Sequence, residues 1–390
     1  MTITWQKLLL PPNEIDLNTL LRCGQAFRWR KINNVWSCAL NNQILLLRET
    51  DQDDTHILEY TTLDGSLPNM DTTKFIHSYF NTFTSNLELY KQWREKDTYF
   101  PVKSEGSTIM GVRILSQDPW ETLLSFIISS NNNIKRISQL CEVLCIAYGK
   151  EVGYYQNLPY FTFPKPIEFL PINDPKELSS KHIETLEYEL RGLGFGYRAK
   201  YISKTVRLMI ENPEFWETLN NDNSWSEDGD EKCIEFLRQF PGVGPKVADC
   251  VALMGCKRHD LVPVDTHVWN ILRSTYRKEF EKWVDSLSIK EEEGEDGAKK
   301  LTTKDKARTS EIPKSSLKRS LSNKAVDVKI YPFVKRFFRE YWGVKAGWAQ
   351  SVVFSEMVKL DNGINDVEEY EKLLDKVRSF KGDGFKRRKI

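Results

Sequence analysis

Short runs of aromatic and β-branched residues fill the first sixty positions. "FRWRKI", "VWSCAL" and "QILLLRE" are divided by Asn33-Asn34 and Asn41-Asn42, and asparagine pairs favour tight hairpin turns. With "HILEYTTL" they predict an antiparallel meander. From about Thr72 the spacing of apolar residues becomes helical. "DPWETLLSFIISS" carries Asp118 as a helix N-cap, Pro119 at the first helical position and Glu121 placed to complete a capping box. The stripe Ile137, Leu140, Cys141, Leu144, Cys145, Tyr148 predicts a second helix ending at Gly149, followed by a Pro-rich connector. "KHIETLEYELRGLGFGYRAKYISKTVRLMI" reads as two helices separated by a turn at Gly192, Gly194 and Gly196. "EKCIEFLRQF" and "KVADCVALMG" form another pair, flanking Pro241-Gly242-Val243-Gly244.

Residues 285–327 carry charge blocks, Ser and Thr with few apolar positions, and predict a disordered insertion. The fold class is therefore α+β. An antiparallel β-rich N-terminal domain spans 1–105, an all-helical body spans 106–284 and 328–360, and 361–390 form a C-terminal helix with a basic tail.

Composition narrows the function classes. Lys and Arg number 56 against 55 Asp and Glu, so any nucleic-acid partner must be met by a local basic face. No apolar run approaches the ~20 residues that span a bilayer, and the N-terminus has no secretory pattern, so a soluble chain without a membrane partner is expected. Seven scattered cysteines suggest a reducing compartment, with Cys141 and Cys145 in the core. They form no zinc-ribbon or iron-sulfur spacing.

The tetrapeptide at 241–244 changes the picture. Its glycines permit a tight turn and close approach to exposed amides, and the amino end of the following helix attracts anions such as a phosphate backbone. Lys246 stands on the first turn of that helix, where the dipole disfavours an ammonium. Its pKa is expected below the usual ~10.4, leaving more neutral amine for nucleophilic attack. Asp265 in "VPVDTHVWNI" is placed to cap the next helix, and backbone amides that bond a carboxylate keep it ionised.

"PGVGPK" followed about twenty residues later by "VPVDTH" resembles the helix-hairpin-helix DNA glycosylase superfamily. "GQAFRW" at Gly24–Trp29, "SSNNNIKRI" at Ser129–Ile137, "GFGYRAKY" at Gly194–Tyr201 and "GWAQSVVFS" at Gly347–Ser355 extend the resemblance, over about residues 12–360 without the insertion, to eukaryotic 8-oxoguanine DNA glycosylase/AP lyases. That resemblance implies a helix-hairpin-helix glycosylase body and a bifunctional enzyme acting on duplex DNA containing oxidised guanine. Lys246 would attack the sugar C1′ and Asp265 would stabilise the developing positive charge. The base pocket would comprise the Gly24 carbonyl, Cys250, Gln350 and Phe354. Asn131, Arg136, Tyr197 and Arg198 would occupy the gap and read the orphan cytosine. Gly242, Val243, Gly244 and His267 would meet the DNA backbone.

A structural cation on the carbonyls of Phe240 and Val243 follows by analogy, with no catalytic metal and no cofactor. A monomer handing its product to downstream abasic-site repair enzymes is expected. Nuclear location is also expected, with the mitochondrion as a second compartment. The segments "KSSLKRS" and "KRRK" are weak nuclear-entry signals, since a charge run is commonly a solvated face. Cys23, Lys135, Thr266 and the insertion depart from the family pattern without removing a chemical group. Two alternatives stay open: a glycosylase for another damaged base, and a non-catalytic hairpin module that only holds DNA.

Overall fold

The meander forms where asparagine accepts the left-handed region. Asn33 and Asn34 adopt φ of 51° and 61°, and Asn41 and Asn42 adopt 49° and 59°, the type I′ geometry that matches strand twist. These turns join β2 (Arg30–Ile32), β3 (Val35–Leu40) and β4 (Gln43–Gln52). β5 (Thr55–Leu63) follows, and β1 (Gln6–Leu10), a strand the sequence reading did not place, pairs on its far side. The sheet order is β1-β5-β4-β3-β2, antiparallel throughout. "FRWRKI" is strand only from Arg30; the residues from Gly24 to Trp29 run as a loop into the body.

The structure is a computed structural model that describes residues 3–52, 55–63, 71–100, 110–221, 224–225, 229–287, 312–357, 363–364 and 367–387. Both faces of the sheet are covered. Leu45, Leu47, Leu58 and Tyr60 pack under α1 (Leu17–Leu20) and α2 (Thr72–Tyr79). Ile44 and Leu46 face a second hairpin, β6 (Glu151–Tyr155) and β7 (Leu158–Phe161), turned by Gln156 and Asn157 at φ 51° and 61°. That hairpin occupies what the sequence suggested was only a Pro-rich connector. Double-sided burial explains why Ile44–Leu47 of β4 read as an unbroken apolar run.

The main core unites α3 (Asn86–Lys96), α4 (Pro119–Ser129), α5 (Ile134–Tyr148), α6 (Ser180–Gly192), α7 (Arg198–Glu211) and α8 (Pro213–Asn220). It continues through α9 (Asp230–Leu237), α10 (Pro245–Met254), α11 (Thr266–Ser274) and α12 (Arg277–Ser286). Cys141 and Cys145 are fully buried in α5. No described helix is long and apolar enough to cross a membrane.

Two expectations need correction. Asp118 caps α4 by accepting the Glu121 amide at 2.8 Å, but the Glu121 carboxylate does not return to close a capping box. It receives Arg28 Nε at 2.8 Å and Nη2 at 2.7 Å, because a guanidinium only 4 % exposed needs a counter-charge more than the helix end needs a second cap.

The proposed disordered insertion also shrinks. Residues 288–311 lie outside the described residues, whereas 312–327 pack against the body through α13 (Lys314–Ser320). Leu317 and Leu321, four residues apart and each 1 % exposed, form the buried edge that the charged composition concealed. Lys318 of the "KSSLKRS" signal is paired with Asp285 at 2.6 Å. Then follow α14 (Tyr331–Trp342), α15 (Ala346–Ser355) and α16 (Val367–Arg387). Residues 388–390 of the basic tail lie outside the described residues.

Candidate active site

The hairpin between α9 and α10 is shaped by one close contact. Gly242 has φ +85°, and a Cβ there would meet the Tyr201 ring at 2.6 Å. Val243 is buried and donates its amide to the Phe240 carbonyl at 3.1 Å, one of the two carbonyls expected to face a cation. Gly244 caps α10 with no side chain, and nothing lies within 4 Å of where its Cβ would stand. Space therefore does not demand glycine at 244; its absent side chain leaves the helix amino end open to an anion.

Lys246, at the second position of α10, runs inward with Nζ 5.0 Å from the Phe126 ring centroid. Cys250 sits one turn later, 3 % exposed. Burial pushes its thiol up to about 11; the Lys246 charge opposes that rise and the Asp265 charge adds to it. Lysine, thiol and carboxylate thus share one electrostatic neighbourhood, and the thiol stays protonated at neutral pH. Asp265 caps α11 as expected, its Oδ1 accepting the amides of His267 and Val268, each at 2.9 Å. Oδ2 has no hydrogen-bond partner among the described residues and remains for a cationic group.

A buried network that the sequence did not announce links the elements that carry Lys246 and Asp265. Asp249, on α10 and 1 % exposed, accepts the Tyr331 hydroxyl at 2.6 Å and pairs with Lys335. Tyr331 in turn accepts the amide of Val264, the residue before Asp265, at 3.1 Å. Burial raises the Asp249 pKa, with Lys335 and the Tyr331 hydrogen bond opposing.

Two of the residues expected at the base pocket, Gly24 and Phe354, come together from opposite ends of the chain. Gly24 has φ +84°, and a Cβ on it would lie 3.2 Å from Ile134 Cδ1 and 3.7 Å from Phe354 Cε1. Phe354 meets the His267 ring edge-on at 5.6 Å, which joins the pocket to the Asp265 cap. Gln350, one turn before Phe354, is 6 % exposed, and its amide has no hydrogen-bond partner among the described residues. α15 holds Gln350 there because Gly347 donates to the His259 carbonyl at 3.1 Å, where any Cβ would meet the Leu261 oxygen at 2.3 Å.

Gln25 anchors the Gly24 loop. Its amide donates to the Arg113 carbonyl at 2.9 Å and accepts the Leu115 amide at 3.0 Å. Its position inside "GQAFRW" was the signal for this role, but only the fold shows what it binds.

Three of the four residues expected at the orphan base meet, and Arg136 reaches the glycine turn beside them. Asn131 is exposed at φ 48°. Tyr197 is 46 % exposed and donates to the Ser130 carbonyl at 2.8 Å. Arg198 is buried, donating from Nε to Ser130 at 3.1 Å and from Nη2 to Asn131 at 2.9 Å, with its guanidinium 4.6 Å from the Tyr197 ring. These bonds brace the Asn131 loop. Arg136, exposed, donates to the Gly194 carbonyl at 3.3 Å.

Comparison with known proteins agrees with this fold. Residues 7–123 match the 8-oxoguanine DNA glycosylase N-terminal domain, and residues 124–282 match the HhH-GPD superfamily of base excision DNA repair proteins. An N-glycosylase/DNA lyase of Saccharomyces cerevisiae is 33 % identical over 378 residues, which cover 92 % of this chain and 87 % of the yeast protein. The chain belongs to the N-glycosylase/DNA lyase family. Its members are enzymes of base excision repair, so a purely passive hairpin module is excluded.

An Arabidopsis thaliana N-glycosylase/DNA lyase is 31 % identical over 275 residues, covering 69 % of this chain and 68 % of that protein. Among solved structures, Clostridium acetobutylicum 8-oxoguanine glycosylase/lyase in complex with DNA containing cytosine opposite the lesion shares the fold. It has a TM-score of 0.59 and 22 % identity, over 91 % of this chain and 97 % of that one. Family membership accounts for the sheet domain and the helical body together. Among the described residues no group of three or more His, Cys, Asp or Glu side chains could hold a metal ion.

Proposed function

We propose that this protein excises 8-oxoguanine opposite cytosine and then cleaves the strand by β-elimination. The observation that carries the reading is the convergence of Gly24, Phe354 and His267 on the Asp265 cap, with Lys246 and Cys250 in the same electrostatic neighbourhood. The Clostridium relative, solved with cytosine opposite 8-oxoguanine, supports it as a structural neighbour.

In this reading the lesion leaves the stack and enters between Phe354 and Cys250. The Gly24 carbonyl accepts the N7 proton that only the oxidised base carries. Guanine would instead present an acceptor to an acceptor, at a cost of about 1–3 kcal/mol. Gln350 offers both a donor and an acceptor to the Watson–Crick edge. The Lys246 amine attacks C1′, the C1′–N9 bond breaks and the base departs with its electron pair. Asp265 Oδ2 stabilises the positive charge on the sugar, and the opened Schiff base permits β-elimination. Asn131, Arg136 and Tyr197 fill the vacated stack and contact the cytosine, while Arg198 holds their loop. The same reading places the enzyme in the nucleus, with a mitochondrial share.

Borohydride reduction tests this directly. Duplex DNA carrying 8-oxoguanine opposite cytosine becomes covalently trapped by the native enzyme, does not with Lys246→Gln, and traps less opposite adenine. Trapping by Lys246→Gln as strong as native would remove the lysine from the chemistry, and equal trapping opposite adenine would remove the orphan-base assignment.

A further inference from the structure

The last helix, α16, follows both family-matched spans, the second of which ends at residue 282. It packs along α5 and closes on the glycine turn that presents Tyr197. Phe380 fills the space at Gly192, where a Cβ would meet its ring at 2.3 Å. Four residues earlier, Lys376 reaches the Leu193 carbonyl at 3.4 Å, and Arg136 reaches the next carbonyl, Gly194, at 3.3 Å. Two cations thus stand on adjacent oxygens of one turn, and neither has a carboxylate partner among the described residues. Between them opens a recess of about 370 Å³, lined also by Asn133, Lys135 and Gln139. The carboxylate nearby, Glu369, is already engaged by Lys135 at 3.4 Å and Gln139 at 2.8 Å.

Like charges gathered without a counter-charge call for an anion. The geometry of α5 indicates which one. Ile134 touches the lesion pocket at Gly24, whereas Arg136 lies two residues on, about 200° around the helix at 100° per residue. The recess therefore faces away from the damaged base and towards the side expected to receive the orphan base.

We propose that Lys376, beside the cytosine-contacting Arg136, binds a backbone phosphate of the undamaged strand, which makes the C-terminal helix part of the DNA interface. The inference rests on the reading of this protein as a duplex-DNA repair enzyme. It adds a phosphate contact that fixes the register of the strand carrying the cytosine while reading no base itself.

The test uses the full chain and a duplex with a tetrahydrofuran abasic analogue opposite cytosine, so that binding is measured without excision. For Lys376→Ala, the slope of log affinity against log salt falls by about 0.9, the share of one phosphate, and Lys376→Arg restores it. Neutral methylphosphonate linkages are then placed one at a time in each strand. One position on the undamaged strand, near the orphan cytosine, weakens native binding but leaves Lys376→Ala unaffected.

An unchanged salt slope overturns the proposal, as does coupling to a damaged-strand phosphate. A thermal melt of Lys376→Ala matching the native one shows that α16 remains docked. Failure of borohydride trapping in the native enzyme would instead overturn the catalytic reading, and leaves the strand-specific coupling to be judged on its own result.

Discussion

The Tyr331 hydroxyl donates to Asp249 at 2.6 Å while accepting the Val264 amide at 3.1 Å, so one phenol oxygen links the lysine-bearing helix to the residue before Asp265. Tyr331→Phe removes both partners at once and leaves a buried amide and a buried carboxylate oxygen unsatisfied. The expected loss of stability is about 1–3 kcal/mol, read from the denaturant midpoint. Single-turnover excision slows as Asp265 loses its registration with Lys246, while affinity for an abasic analogue is retained. Unchanged excision would make the link structural only.

Gly24→Ala tests the pocket wall. The left-handed φ alone costs about 1–2 kcal/mol with a side chain. The new methyl would stand 3.2 Å from Ile134 and 3.7 Å from Phe354, inside the space assigned to the lesion. Base excision is expected to fall far more than abasic-site cleavage, compared on two substrates with one enzyme preparation. Equal losses would move the pocket elsewhere.

Glu121→Gln tests the tie between the sheet domain and the body. Arg28 would keep the carbonyl of Ala39 at 2.9 Å but lose its counter-charge while buried. Breaking such a pair costs about 3–5 kcal/mol. A denaturation midpoint shifted by much less would show that water reaches the guanidinium.

His259 gives stability a pH dependence. Burial, reinforced by Lys345, Lys257 and Arg258, pushes its pKa down to about 4. A histidine held neutral in the fold must take up a proton on unfolding. Its contribution is therefore complete above pH of about 6.5 and is lost as pH falls towards 4. The ring is partly exposed, so the change is on the order of 2 kcal/mol. His259→Gln should flatten the acid limb of a stability–pH curve; an unaltered slope there would assign the acid sensitivity to other groups.

Local features were legible because their causes are local. Asparagine pairs turned the meander, Asp118 and Asp265 capped the helices they precede, and the apolar stripe of α5 buried its two cysteines. Glu121 is not decided locally, because a capping box and an ion pair use the same carboxylate and the choice depends on Arg28, distant in the chain. α13 is concealed in the sequence because two leucines carry its burial amid charged neighbours.

The sequence by itself determined the chemistry-bearing groups: a glycine hairpin, a lysine on the first helical turn, a capping aspartate, and a glutamine and phenylalanine one turn apart. Only the tertiary structure decided that Gly24 lies against Phe354, that Arg198 braces a loop, and that Tyr331 bridges the helix of Lys246 and the segment leading to Asp265. Turns and caps depend on neighbours a few residues away. Contacts between distant segments depend on which buried surfaces and polar groups complete one another, and that is settled only when the whole core closes.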